Sequence, residues 1–105
     1  MAQNQPKSTV IAFEAELWVF NSTAAWFFVT LPRGAADQVR SEILPRPPKA
    51  FGSVRVHASI GETNFATSLF PDKNTQSYHL PIKASVRKAE RLNVGDQFQV
   101  RIRLA

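Results

Sequence analysis

The stretch Val54-Arg55-Val56-His57-Ala58-Ser59-Ile60-Gly61-Glu62-Thr63-Asn64-Phe65 decides the architecture. Apolar residues at 54, 56, 58 and 60 alternate with Arg55, His57 and Ser59, the period of two that marks a β-strand with one buried face. Gly61-Glu62 follows, with glycine at the loop position where a type II′ hairpin turn requires a positive φ. A two-residue loop pairs Ile60 with Thr63 and Ala58 with Phe65, and the same register sets Val54 opposite Leu69 and His57 opposite Ala66. The second strand of this hairpin is expected to close at Phe70-Pro71.

Outward from this hairpin the same period recurs. Phe98, Val100, Ile102 and Leu104 alternate with Gln97, Gln99, Arg101 and Arg103 in the clearest strand of the chain. Toward the other end, odd positions are apolar across 9–20 (Ile11, Phe13, Ala15, Leu17, Val19) and again across 25–31 (Phe27, Val29, Leu31). A three-residue loop, 22–24, makes these a hairpin with both odd faces inward, Val19 opposite Phe27 and Leu17 opposite Val29. On the outer face Phe20 then meets Trp26 and Trp18 meets Phe28. Four aromatics left in water would form a large apolar patch, so a helix or a partner subunit is expected to cover them.

Residues 35–44 place Val39 and Ile43 four apart beside Ala36, which reads as a short amphipathic helix and the natural lid. Pro45-Arg46-Pro47-Pro48 ends it and leaves an extended connector. A polar loop over 71–76, a short strand over 78–82, a basic helical turn over 84–91 and a turn at Asn93-Val94-Gly95-Asp96 complete the chain. About six antiparallel strands and two short helices predict an all-β domain, barrel or sandwich, with the barrel preferred because it removes exposed strand edges. The expected organisation is a flexible N-terminus, 1–8, and a single domain, 9–105.

Composition narrows the classes of function. The chain has 105 residues, 44% of them hydrophobic, which is one domain's length with material for one core. Cysteine is absent, which removes disulfides, thiolate nucleophiles and cysteine-based metal sites. The N-terminus lacks the apolar stretch of a secretory signal and no window reaches the length of a membrane span, so a cytoplasmic location is expected. Thirteen basic residues against eight acidic give +5, and the segment from Ser77 onward, with six basic and two acidic, holds most of that excess. Such a balance permits nucleic acid or another polyanion as partner.

Reaction constellations are sparse. Glu14 and Glu16 share one strand face and read as surface carboxylates. Nucleophile elbows, phosphate-cradling glycine loops and dinucleotide fingerprints are missing, so no cofactor and no catalytic residue is assigned. His57 and His79 lack sequence-visible partners, and two isolated histidines do not make a metal site. Two groupings remain as candidate binding residues. Arg55, His57 and Ser59 share the outer face of one strand and can meet a small anion. Lys83, Arg87 and Arg91 fall at i, i+4 and i+8 along the basic helix beside Lys88, a stripe able to meet phosphates together with Arg101 and Arg103.

Phe13-x-Ala15-x-Leu17, the run from Trp26 to Pro32, Ile60-Gly61, Thr67-Ser68-Leu69-Phe70-Pro71, Leu80-Pro81-Ile82, Arg87-Lys88 and Gly95-Asp96-x-Phe98-x-Val100 appear in an order that resembles the bacterial domain-of-unknown-function family 1905. The resemblance implies a small double-split β-barrel, the fold class that also holds AbrB and MazE domains. It carries over no functional residues. The segment from Leu80-Pro81-Ile82 through Arg87-Lys88 to Val94-Gly95-Asp96 also looks like the AbrB-type swapped-hairpin proteins, which bind DNA as dimers. Two departures stand out: 71–77 lacks the glycines common in the family, and Arg91 occupies the place of a helix-ending glycine. The expectation is a non-catalytic binding or interaction module, with an AbrB-like nucleic-acid binder as the alternative and a small-molecule enzyme using the Arg55, His57, Ser59 face as a third reading. A homodimer is expected if the aromatic face finds no cover within the chain.

Overall fold

In the computed structural model, residues 9–21, 23–43 and 52–105 are described. Among these residues, segments rich in β-branched and aromatic side chains form seven strands: β1 (Ile11–Glu16), β2 (Trp18–Phe20), β3 (Trp26–Thr30), β4 (Val54–Ile60), β5 (Thr63–Asp72), β6 (Ser77–Pro81) and β7 (Gln97–Leu104). Two helices accompany them among the described residues, α1 (Arg33–Ile43) after β3 and α2 (Ala84–Glu90) after β6. The strands are antiparallel in the order β1-β7-β4-β5-β6-β3-β2. Since β1 and β2 are consecutive in the chain, the sheet curls as a half-barrel until its two ends are a single bent segment.

Both hairpin registers are as the alternation predicts. Trp18 pairs with Phe28, Val19 with Phe27 and Phe20 with Trp26. In the second hairpin Ile60 pairs with Thr63, Ala58 with Phe65, His57 with Ala66 and Val54 with Leu69. At its turn Gly61 has φ +58, and Glu62 is not among the residues with positive φ, as type II′ geometry demands. The inward faces form one core. Phe13, Leu17, Val56 and Val100 are all buried there, with Val29, Leu69, Leu80 and Ile102.

Four expectations are corrected. The strand read as continuous over 9–20 breaks at Leu17. There the backbone leaves β3 and exchanges hydrogen bonds with the turn before β7, Leu17 N–H to Asp96 O (3.0 Å) and Gly95 N–H to Leu17 O (2.9 Å). Leu17 therefore does not pair with Val29, and the one long strand is divided into β1 and β2. Next, the polar loop is shorter than expected: β5 runs through Pro71 to Asp72, exchanging its β4 partner for β6 at Phe70. Finally, α1 is not the lid of the aromatic face. It follows an inward residue, Leu31, and turns its buried side chains Ala35, Ala36 and Val39 into the interior, against β1 and β6. A helix entered from the inner face plugs the open side of the curl, because that is where unburied core remains. Of the outer aromatics, Phe20 and Trp26 remain 54% and 56% exposed, while Trp18 and Phe28 are half-buried. The proline connector after α1 lies outside the described residues.

The second helix ends on Arg91, itself left-handed at φ 55, ψ 49, with the N–H groups of this end reaching Arg87 O and Lys88 O. No helix among the described residues is long and apolar enough to cross a membrane.

Candidate functional site

The residues that gather most chemistry lie where β3, β5, β6 and the start of α2 meet. Arg55, on the outer face of β4, donates from Nη1 to Oγ of its cross-strand partner Ser68 at 3.2 Å. Arg87, on α2, is held from two sides. Its Nε donates to Ile82 O at 3.1 Å, and its Cζ lies 3.7 Å from the ring centroid of Phe27, a close cation–π contact. Phe27 is in turn tied to the same segment, since its carbonyl accepts from Ile82 N–H at 2.8 Å. Lys83, exposed, precedes the first turn of α2.

Arg55, Lys83 and Arg87 border one cleft of about 550 Å³, walled by Trp26, Phe27, Phe65, Phe70 and Pro81. That volume falls within the range of small-molecule sites. Among the described residues no carboxylate lines it. Its chemistry is therefore positive charge on an apolar, largely aromatic wall.

The structure divides the predicted groupings differently. Arg55 parts from His57 and Ser59, which border a second groove of about 480 Å³ with Asn64, Arg101 and Arg103. There His57 pairs across strands with Arg103 and Ser59 with Arg101, while Arg101 Nη2 donates to Gly61 O at 3.2 Å. Lys88 and Arg91 join Arg87 along a third groove of about 430 Å³. The basic helix thus serves two concavities, with Arg87 between them.

Sequence reasoning missed the aromatic wall. Phe27 and Phe65 appear by parity as inward residues, and only the meeting of β3 with α2 shows that they also border a cleft. Phe70 carries a visible signal, since a large apolar residue on the outer parity just before Pro71 is 46% exposed. The other histidine, His79, also has partners that the sequence does not show: Thr30 Oγ1 lies 3.0 Å from Nδ1 and Asp72 Oδ2 lies 3.5 Å from Nε2.

A search of curated proteins gives no match. The order of motifs has a firmer counterpart, for the model of one family spans residues 13–102 and so takes in both helices and all or most of every strand. The chain belongs to the family described as Domain of unknown function (DUF1905).

Proposed function

We propose that the protein is a non-catalytic binding module whose ligand joins an anionic group to a flat apolar body. The observation that carries this reading is the convergence of Arg55, Lys83 and Arg87 on a cleft walled by Trp26, Phe27, Phe65 and Phe70, with no carboxylate among its described lining residues. Arg87 is already fixed by Phe27 and Ile82 O, so its charge is placed before the ligand arrives and little side-chain freedom is lost on binding. Arg55 rests on a single hydroxyl contact at the surface and can turn to a carboxylate or phosphate in the bidentate manner of guanidinium.

The test is calorimetric titration with an arylcarboxylate, an aryl phosphate and the uncharged amide of the same aryl group. Either acid is expected to bind and the amide to bind at least tenfold more weakly. Arg55→Ala should weaken the acid roughly tenfold, about 1.4 kcal/mol, and His57→Ala should leave it unchanged. Equal binding of acid and amide, or indifference to Arg55→Ala, overturns the proposal.

A nucleic-acid reading draws on Arg87, Lys88 and Arg91 along one groove and Arg101 and Arg103 along another. A duplex titrated against salt decides it, because a surface that neutralises phosphates loses affinity steeply as salt rises. Absence of binding at low salt ends that reading.

A further inference from the structure

The uncovered side of β2 and β3 forms a separate concavity of opposite character. Trp18 and Phe28 pack with ring centroids 5.2 Å apart and tilted by 34°. Phe20, more than half exposed, extends the same face. The edge of His79 meets Trp18 at 5.0 Å and 76°. Beneath the rings runs a polar chain. Trp18 Nε1–H donates to Thr30 Oγ1 at 2.9 Å, Thr30 Oγ1 lies 3.0 Å from His79 Nδ1, and His79 Nε2 lies 3.5 Å from Asp72 Oδ2. Thr30 Oγ1 thus bridges the indole N–H and the imidazole, whose other nitrogen faces the carboxylate.

Asp72 is kept as an anion. Its Oδ2 accepts from the Thr75 hydroxyl at 2.8 Å and the Thr75 N–H at 3.0 Å. These bonds, the hydroxyl first, hold the carboxyl below its ordinary value, and nearby His79 adds to the effect. The side chain is nevertheless 24% exposed. It borders a cleft of about 640 Å³ with Trp18, Phe20, Phe28 and His79, and no lysine or arginine among the described residues lines it. In a chain with thirteen basic residues, this is a concavity made of aromatic rings and one carboxylate.

We infer that this cleft binds a small organic cation bearing a quaternary ammonium group, with Asp72 as counter-charge and Trp18, Phe20 and Phe28 as the π surface. Charge complementarity selects a cation, because aromatic rings carry negative faces that attract one and the carboxylate supplies a full negative charge. The wall selects an alkylated one. A hard metal ion needs six or more oxygen ligands or several waters, whereas methyl groups gain from burial against rings. This site shares no lining residue with the cleft assigned to anions, so each stands or falls by itself.

The experiment is calorimetric titration of the full chain with choline and with 3,3-dimethylbutan-1-ol, its uncharged isostere. Choline is expected to bind in the millimolar range and the alcohol at least tenfold more weakly. Asp72→Asn should weaken choline about tenfold. Phe20→Ala, at an exposed ring whose loss leaves the core intact, should weaken it several-fold with an unchanged circular dichroism spectrum, and Arg55→Ala should have no effect. The proposal is overturned if choline does not bind, if the neutral isostere binds equally, or if Phe20→Ala and Asp72→Asn both leave the affinity unchanged.

Discussion

Arg91 has to adopt a conformation that glycine accepts freely. At φ 55 and ψ 49 it ends α2 in the left-handed region, where a β-carbon crowds the following carbonyl at a cost of about 1 kcal/mol. Arg91→Gly is therefore expected to raise stability by roughly 0.5–1 kcal/mol, measured by urea denaturation. The converse holds at Gly61, whose φ is +58. There a β-carbon would also run into the Glu90 carboxylate, which accepts from Thr63 Oγ1 at 2.6 Å. Gly61→Ala should cost about 1–2 kcal/mol in the same assay. Asp72 gives a prediction in pH. Its carboxyl is lowered in the fold, so its contribution to stability is complete above the ordinary carboxylate value of about 3.9 and disappears as pH falls through the lower folded value. Denaturation of the wild type and Asp72→Asn between pH 6 and 2 should show a gap at the upper end that closes in acid. The sequence marks Arg91 as standing where a helix-ending glycine is usual, but not that the arginine itself takes up the left-handed conformation there. The bonds of Asp72 were not legible, because they depend on β5 running on past Pro71.

Among the elements, the alternation of apolar residues fixed which side of each strand faces inward and, through the turns, both hairpin registers. It does not say which neighbour a strand chooses. The bend at Leu17 shows the difference: parity continues unbroken through Ala15, Leu17 and Val19, yet β1 joins β7 while β2 joins β3. Leu17 is fully buried at this corner, its backbone bonded on both sides to the turn at Gly95 and Asp96 before β7. Leu17→Ala should cost about 2–5 kcal/mol, read from the shift in denaturation midpoint. The extent of α1 was also legible, within two residues at its start, but not its side of the sheet. An amphipathic pattern identifies the face to be buried; only the finished curl reveals that the vacant interior, not the aromatic exterior, receives it.

At the scale of the whole molecule, the earliest strand pairs with the latest: Phe13 is opposite Val100 and Ile11 opposite Ile102, and β7 also pairs with β4. The same long-range assembly explains why the candidate site was only partly legible. Arg55 on an outer strand face and Arg87 in a helical stripe were each visible in the sequence, but bringing them to one cleft with Phe27 and Phe65 requires β4, β3 and α2 to be assembled by segments distant in sequence. The arrangement of the two clefts has a practical corollary. The chain has two tryptophans, and each borders a different concavity, Trp26 the cationic one and Trp18 the anionic one. Each cleft thus carries an indole fluorophore of its own, and replacing either ring by phenylalanine leaves a single tryptophan emitter at the edge of one cleft.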